Sequence, residues 1–248
     1  MTAILLSPFA LSLTPLSKPH IFFISGLGAD HRAFDRIKLD GYEQTHLPWI
    51  IPEWKDNMHT YARKMAEPIM KAENPIVIGL SLGGMLASEM TTFMPDLKVI
   101  LVSSIKSHKE RSNILKLGRL FPVQGLMPPN TMHRFSGFWE MAQKKRLKGD
   151  TKHMTQMFKD QNDKFLRWAI LHAPKWRGEG DETRIAHIHG TIDRMFPIKR
   201  IKNPIKVHGG THLMVYVKGD EVTRLILQEL KRFEMRNFIW LFGLCVGI

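Results

Sequence analysis

The sequence predicts an α/β fold: a mostly parallel sheet of about six strands, flanked by helices and interrupted by an inserted helical cap. Three observations carry this reading. Short apolar runs alternate with stretches of helical periodicity. The runs are continuously apolar, the pattern of strands buried on both faces. Between Ser104 and Arg184 no convincing strand appears. With 44% hydrophobic and 24% charged residues, the 248-residue chain has enough apolar side chain for a packed core, which excludes wholesale disorder.

Taken in order, the strand candidates are His20–Ser25 (HIFFIS), Pro75–Leu80 (PIVIGL), Leu97–Ser103 (LKVILVS), Arg184–His189 (RIAHIH) and Asn203–His208 (NPIKVH). Tyr42–Trp49 is a weaker sixth, placed by its position between helical stretches. A helix is expected after the capping residue Asn57, with Met58, Tyr61, Ala62, Met65, Ala66 and Ile69 on one face and a kink at Pro68. Val222, Leu225, Ile226, Leu230 and Phe233 repeat that spacing near the end. Strand and helix in alternation imply right-handed crossovers. The expected organisation is a core of residues 20–104 and 184–234, a helical cap at 105–183, and apolar terminal segments at 1–19 and 235–248. With the first strong strand so near residue 20, a trimmed sheet of about six strands is expected.

Charge is unevenly spread. Lys plus Arg exceed Asp plus Glu by 36 − 23 = +13, and the interval 106–184 holds 17 of these cations against 8 anions, or +9 of the excess. The run Lys144-Lys145-Arg146 with Lys148 reads first as a solvated helix face. The first 17 residues carry no Lys or Arg, so they lack the positive start of a secretory signal, and a cytoplasmic location is expected. Phe238–Ile248 is an uncharged run of 11 residues, too short to cross a membrane alone, where about 20 are needed. The single cysteine, Cys245, closes no intramolecular disulfide.

The chemistry concentrates at Gly79-Leu80-Ser81-Leu82-Gly83, between an apolar strand and the helical stretch LGGMLASEM. A serine in a sharp strand-to-helix turn has its hydroxyl thrust above the sheet edge, and small residues two before and two after relieve the crowding of backbones. The turn also aims the amide of Leu82 at the place where an oxyanion would form.

With this pattern the sequence resembles the α/β-hydrolase superfamily, from about His20 to Phe233. Three further stretches match. Ser25-Gly26-Leu27-Gly28 looks like the loop that supplies the second oxyanion amide, implying Leu27; Ser25-Gly26 stands where the superfamily often has His-Gly. The block His189-Gly190-Thr191-Ile192-Asp193-Arg194-Met195-Phe196-Pro197 looks like the turn that bears the acid, implying Asp193. Gly209-Gly210-Thr211-His212 looks like the loop that bears the base, implying His212. The order Ser, Asp, His is the one this fold imposes. Each member answers a need: the serine requires a base to take its proton, and the imidazole requires a carboxylate to fix its tautomer and stabilise its charged form.

The resemblance implies a cofactor-free serine hydrolase that acts on a carboxylic ester or thioester of a small acyl substrate. Phe135, Phe138, Trp139, Met141, Phe158, Phe165 and Trp168 are candidates to line an acyl pocket. Two alternatives stay open: a non-catalytic ligand-binding protein of the same fold, and a lipase-like or lysophospholipase-like acyl hydrolase in peripheral contact with anionic membrane. Other assignments are weaker. Asp30 reads as a helix N-cap, His108 and His187 as ordinary histidines, and the pair His187/His189 lacks the carboxylate or cysteine cluster of a metal site. No dinucleotide fingerprint or phosphate loop opens any helix, and neither a nucleotide cofactor nor a nucleic-acid partner is expected.

Overall fold

The computed structural model describes residues 18–120 and 151–243. Six strands form one sheet: β1 (His20–Ile24), β2 (Glu43–His46), β3 (Ile76–Leu80), β4 (Lys98–Val102), β5 (Ile185–Gly190) and β6 (Ile205–Val207). Their order is β2-β1-β3-β4-β5-β6 and every pairing is parallel. The first described strand, β1, lies inside the sheet; β2 adds on one side of it, and the chain then crosses β1 to add β3. That reversal opens a crevice at the carboxyl ends of β1 and β3, the place where open α/β sheets bind ligands.

Burial on both faces explains the apolar runs. Along β1, Ile21 and Phe23 join one core cluster while Phe22 and Ile24 join the other. The first face is covered by Ala33 and Phe34 of the 3-10 turn His31–Phe34 and by α7 (Gly219–Gly243), through Val222, Ile226, Leu230 and Phe233. Against the second pack α1 (Met58–Ala66), α2 (Leu82–Met90) and α5 (Asp163–His172). The remaining described helices are α3 (Asn113–Leu120), α4 (Thr151–Lys159) and the single turn α6 (Met214–Val217).

Asn57 caps α1 as expected, its side chain accepting from the amides of His59 and Thr60, and Thr60 closes a reciprocal box on the Asn57 amide. Asp30 likewise caps the turn His31–Phe34 through the Arg32 amide. At Pro68 the helix ends rather than kinks: α1 stops at Ala66, and Pro68 leads a 3-10 turn over Ile69–Lys71, because proline has no amide to continue the ladder. β2 is only four residues long and mostly exposed, in keeping with its lack of a sequence signature. The last helix passes the expected boundary at residue 234 and continues to Gly243, since no proline or glycine interrupts it before that point.

Between β4 and β5 the described residues contain helices and 3-10 turns, no strand, and one isolated antiparallel bridge between Ser107 and Glu179. Much of this interval shares the main core. Phe165 stacks on Trp49, Trp168 lies 4.1 Å from Tyr61 between ring centroids, and the Trp168 Nε1 donates to the carbonyl of Asp56 at 2.8 Å. Phe135, Phe138, Trp139, Met141 and the basic run at 144–148 lie outside the described residues, as do residues 1–17 and 244–248.

Candidate active site

Ser81 follows β3 and precedes α2 with φ 50° and ψ −112°, a backbone conformation that L-residues rarely adopt. The chain can turn this sharply only because its neighbours lack side chains. A Cβ on Gly79 would stand 2.5 Å from the Gly84 Cα, and one on Gly83 would overlap the carbonyls of Ile24 and Ser25. In place of that side chain, the Gly83 amide donates to the Ser25 carbonyl at 3.0 Å, locking the head of α2 against the end of β1.

The elbow is also held from β4. Ser104 donates its hydroxyl to the Ser81 carbonyl at 2.6 Å, and the Ser81 amide donates to the Val102 carbonyl at 3.1 Å. The serine's own hydroxyl faces outward to the next loop. Its Oγ lies 3.0 Å from Nε2 of His212, which follows β6 on the turn Gly209-Gly210-Thr211. Asp193, beyond β5, places Oδ2 2.8 Å from Nδ1 of the same ring. A carboxylate can only accept, so Nδ1 carries the proton and Nε2 is left to accept from the serine. The structure therefore brings together Ser81, Asp193 and His212 from three separate strand ends.

Asp193 is almost fully buried and held on both oxygens. Its Oδ1 accepts from the amides of Met195 at 2.8 Å and Phe196 at 2.9 Å. Beneath it, the buried His189 donates from Nε2 to the Phe196 carbonyl at 2.8 Å and lies 3.7 Å from Oδ2. The preceding inward residue, His187, donates from Nε2 to the Ser104 carbonyl at 3.1 Å. Each buried ring keeps an Nδ1 without a hydrogen-bond partner. Burial pushes His187 well below the usual histidine range, with the neighbouring His189 and Lys106 adding to the effect. His189 is also pushed down by burial, partly offset by the Asp193 charge. Both are therefore neutral rings that brace the backbone beneath the triad. The His-x-His alternation, which sets both rings on one side of β5, already marks the pair in the sequence as structural rather than metal-binding; the carbonyls they hold, and the role of Ser104, were not readable there.

Of the two residues expected to supply oxyanion amides, Leu82 adjoins Ser81 in sequence and Leu27 lies on the loop after β1. Leu82 is the first residue of α2 and so has no intrahelical acceptor for its amide. The loop after β1 passes directly over the elbow, with a Cβ on Gly26 meeting Ser81 Cβ at 3.3 Å, and Leu27 is the next residue. Gly28 has φ +73°, and a Cβ there would stand 2.6 Å from Phe158 of α4, so this loop is pressed between the elbow and the interval after β4. Of the residues expected to line a pocket, Phe158, Phe165 and Trp168 are all at least nine-tenths buried. A groove of about 380 Å³ opens beside the same loop, with Ser25, Asp30, His31, His46, Trp49 and Gln161 in its walls. Burial lowers the basicity of His46, and the nearby His31 lowers it further. Among the described residues no group of three or more His, Cys, Asp or Glu is arranged to hold a metal ion.

No known family model matches the sequence, and no curated protein matches it. Solved structures do match in shape. A thermophilic esterase from Thermogutta terrifontis, solved with malate bound, superposes with a TM-score of 0.69 at 15% identity, covering 87% of this chain and 90% of that one. An enol-lactonase from Burkholderia xenovorans LB400 gives 0.65 at 14%, covering 86% and 91%. MenH from S. aureus gives 0.66 at 14%, covering 88% and 95%. With this strand order, the elbow after β3 and the likeness to these proteins, the chain has the α/β-hydrolase fold.

Proposed function

We propose that the protein is a serine hydrolase that cleaves a carboxylic ester or thioester through an acyl-enzyme on Ser81. The observation that carries this is the unbroken relay from Ser81 Oγ to His212 at 3.0 Å and from His212 to Asp193 at 2.8 Å, set on an elbow of strained backbone. That several of the structurally similar proteins are esterases is in keeping with it.

In this mechanism His212 Nε2 takes the Ser81 proton as Oγ attacks the acyl carbon. Asp193 stabilises the imidazolium without itself taking a proton. The amides of Leu27 and Leu82 donate to the oxygen that gains charge in the tetrahedral intermediate. His212 then protonates the leaving alcohol or thiol, and a water activated by the same ring releases the acid. No step requires a cofactor or a nucleic-acid partner. The substrate is a small acyl compound.

Labelling with a fluorophosphonate, together with a series of p-nitrophenyl esters and acyl-CoA thioesters of increasing chain length, tests this reading. Ser81→Ala is expected to abolish labelling and to lower acyl transfer by about 10⁴-fold or more with an unchanged melting temperature. Equal labelling of the wild type and Ser81→Ala would place the reactive group elsewhere.

A further inference from the structure

Leu27 sits in a tight turn. The Ala29 amide donates to the Gly26 carbonyl at 3.1 Å, which closes a four-residue turn over Gly26–Ala29 with Leu27 and Gly28 at its centre. Gly28 has φ +73°, the conformation that favours glycine at the third position of such a turn. The turn's own hydrogen bond uses the amide of its fourth residue and leaves that of Leu27 outside it. Where the Leu27 amide points is therefore set by how the turn as a body is held.

The hold is at its last residue. The Ala29 carbonyl accepts from three side chains: Ser25 Oγ at 2.8 Å, Trp49 Nε1 at 2.9 Å and Gln161 Nε2 at 3.4 Å. Ser25 opens the same loop, so its bond closes the loop on itself without tying it to the sheet. Gln161 reaches in from the interval after β4, but its bond is the longest of the three and the weakest. Arg32 makes a further link to that interval, to Asp160 at 2.6 Å, yet the Asp160 side chain is 43% exposed and water screens the pair. Of these holds, Trp49 is the one that ties the turn to its neighbouring strand by a short bond.

Trp49 is itself fixed on both sides. Two residues earlier, the Leu47 amide donates to the Phe23 carbonyl at 2.9 Å and joins the end of β2 to β1. One residue later, Ile50 donates its amide to the Tyr61 hydroxyl at 3.2 Å, and that hydroxyl donates to the Ile50 carbonyl at 2.8 Å. Tyr61, on α1, is fully buried. The indole ring stacks on the buried Phe165 with centroids 4.4 Å apart. A donor locked by packing and by its neighbours' hydrogen bonds holds its acceptor in one place.

We propose that Trp49 is a positioning residue for the reaction: its Nε1 hydrogen, through the Ala29 carbonyl, sets the turn that carries the Leu27 amide beside Ser81. The inference rests on the reading of Ser81 as the nucleophile, and it adds a group that acts through the loop rather than on the reacting atoms. An oxyanion amide is needed most while charge develops on the acyl oxygen, so a loosened turn lowers kcat and leaves ground-state binding alone.

Two variants test the proposal. Trp49→Phe keeps a ring against Phe165 and removes the donor. Replacement of Trp49 by 3-benzothienylalanine, with sulfur in place of the indole N–H, removes the donor at nearly constant shape and decides the matter if the smaller ring lowers stability. Outright removal of an oxyanion donor costs about 10²- to 10³-fold in kcat, so displacing one should cost about tenfold, with KM within about twofold of the wild type. Inhibition by a trifluoromethyl ketone, which forms an oxyanion on the serine, should weaken by the same factor. In hydrogen exchange the amides of Leu27, Gly28 and Ala29 should exchange faster in both variants. Wild-type kcat in the benzothienylalanine protein overturns the proposal, as does a loss confined to KM, a loss in kcat with undiminished ketone inhibition, or unchanged exchange at this turn. Failure of the functional reading is distinct from these: it shows as turnover and labelling that persist in Ser81→Ala, and it overturns the role of Trp49 with it.

Discussion

At the residue scale, Asp193 is the best supported group in the candidate site, and its supports differ in kind. The amides of Met195 and Phe196 hold Oδ1 by backbone geometry alone, so Asp193→Asn keeps that anchorage. What changes is the atom facing His212, where a donor amide can replace the acceptor and select the wrong ring tautomer. The expected outcome is a loss of about 10³- to 10⁴-fold in kcat with little change in melting temperature, measured on the best ester found. His189 acts differently. His189→Leu removes the donor to the Phe196 carbonyl and leaves a buried acceptor unsatisfied, which should cost about 1–3 kcal/mol in chemical denaturation and loosen the turn that carries Asp193. His189→Gln, which can donate to the same carbonyl, should recover part of both stability and rate.

Elements explain why some of this was legible and some was not. Parallel strands buried on both faces announce themselves as unbroken apolar runs, which is why β1, β3, β4 and β5 were readable to within a residue or two. Exposed β2 has no such run, and only its neighbours located it. The meeting of Ser81, Asp193 and His212 was legible because each follows a strand end in a short glycine-bearing turn. What His187 and Ser104 hold was not, because their partners lie 83 and 23 residues away in sequence. Arg184 is the clearest case: its guanidinium donates to the carbonyls of Thr91, Met94 and Pro95 while its Nε meets Asp181. It therefore closes the turn after α2 from 90 or so residues away, and no local pattern marks it. Arg184→Lys should destabilise the protein by about 2–3 kcal/mol in denaturant titration, since one ammonium cannot replace a planar fork on three carbonyls. Gly83→Ala tests the junction at the other end of α2. The added methyl overlaps two carbonyls of β1 and its loop, and soluble yield or melting temperature should fall sharply.

At the scale of the whole molecule, acid is the condition to which the core is most exposed. His187 and His189 are held neutral in the folded protein, with basicity below that of the unfolded chain, where histidine titrates near about 6.5. Above that pH both states are neutral and stability is unaffected. As pH falls through and below it, the unfolded chain takes up protons that the folded core refuses, and stability is lost by up to about 1.4 kcal/mol per pH unit for each ring. The contribution of these two rings to the melting temperature should accordingly be flat from about pH 7 to 9 and decline toward about pH 5. His187→Gln, which can still donate to the Ser104 carbonyl, should make that decline shallower, and an identical slope would remove His187 from the account. The contact of Tyr42 with both Lys18 and Glu234 has one further consequence, for chain connectivity. Lys18 and Glu234 both reach the Tyr42 side chain, so in a chain trimmed to begin at Lys18 and end at Glu234 a flexible glycine–serine bridge would close the backbone into a ring. Such a cyclised chain loses freedom only when unfolded, and it should melt higher than its linear parent.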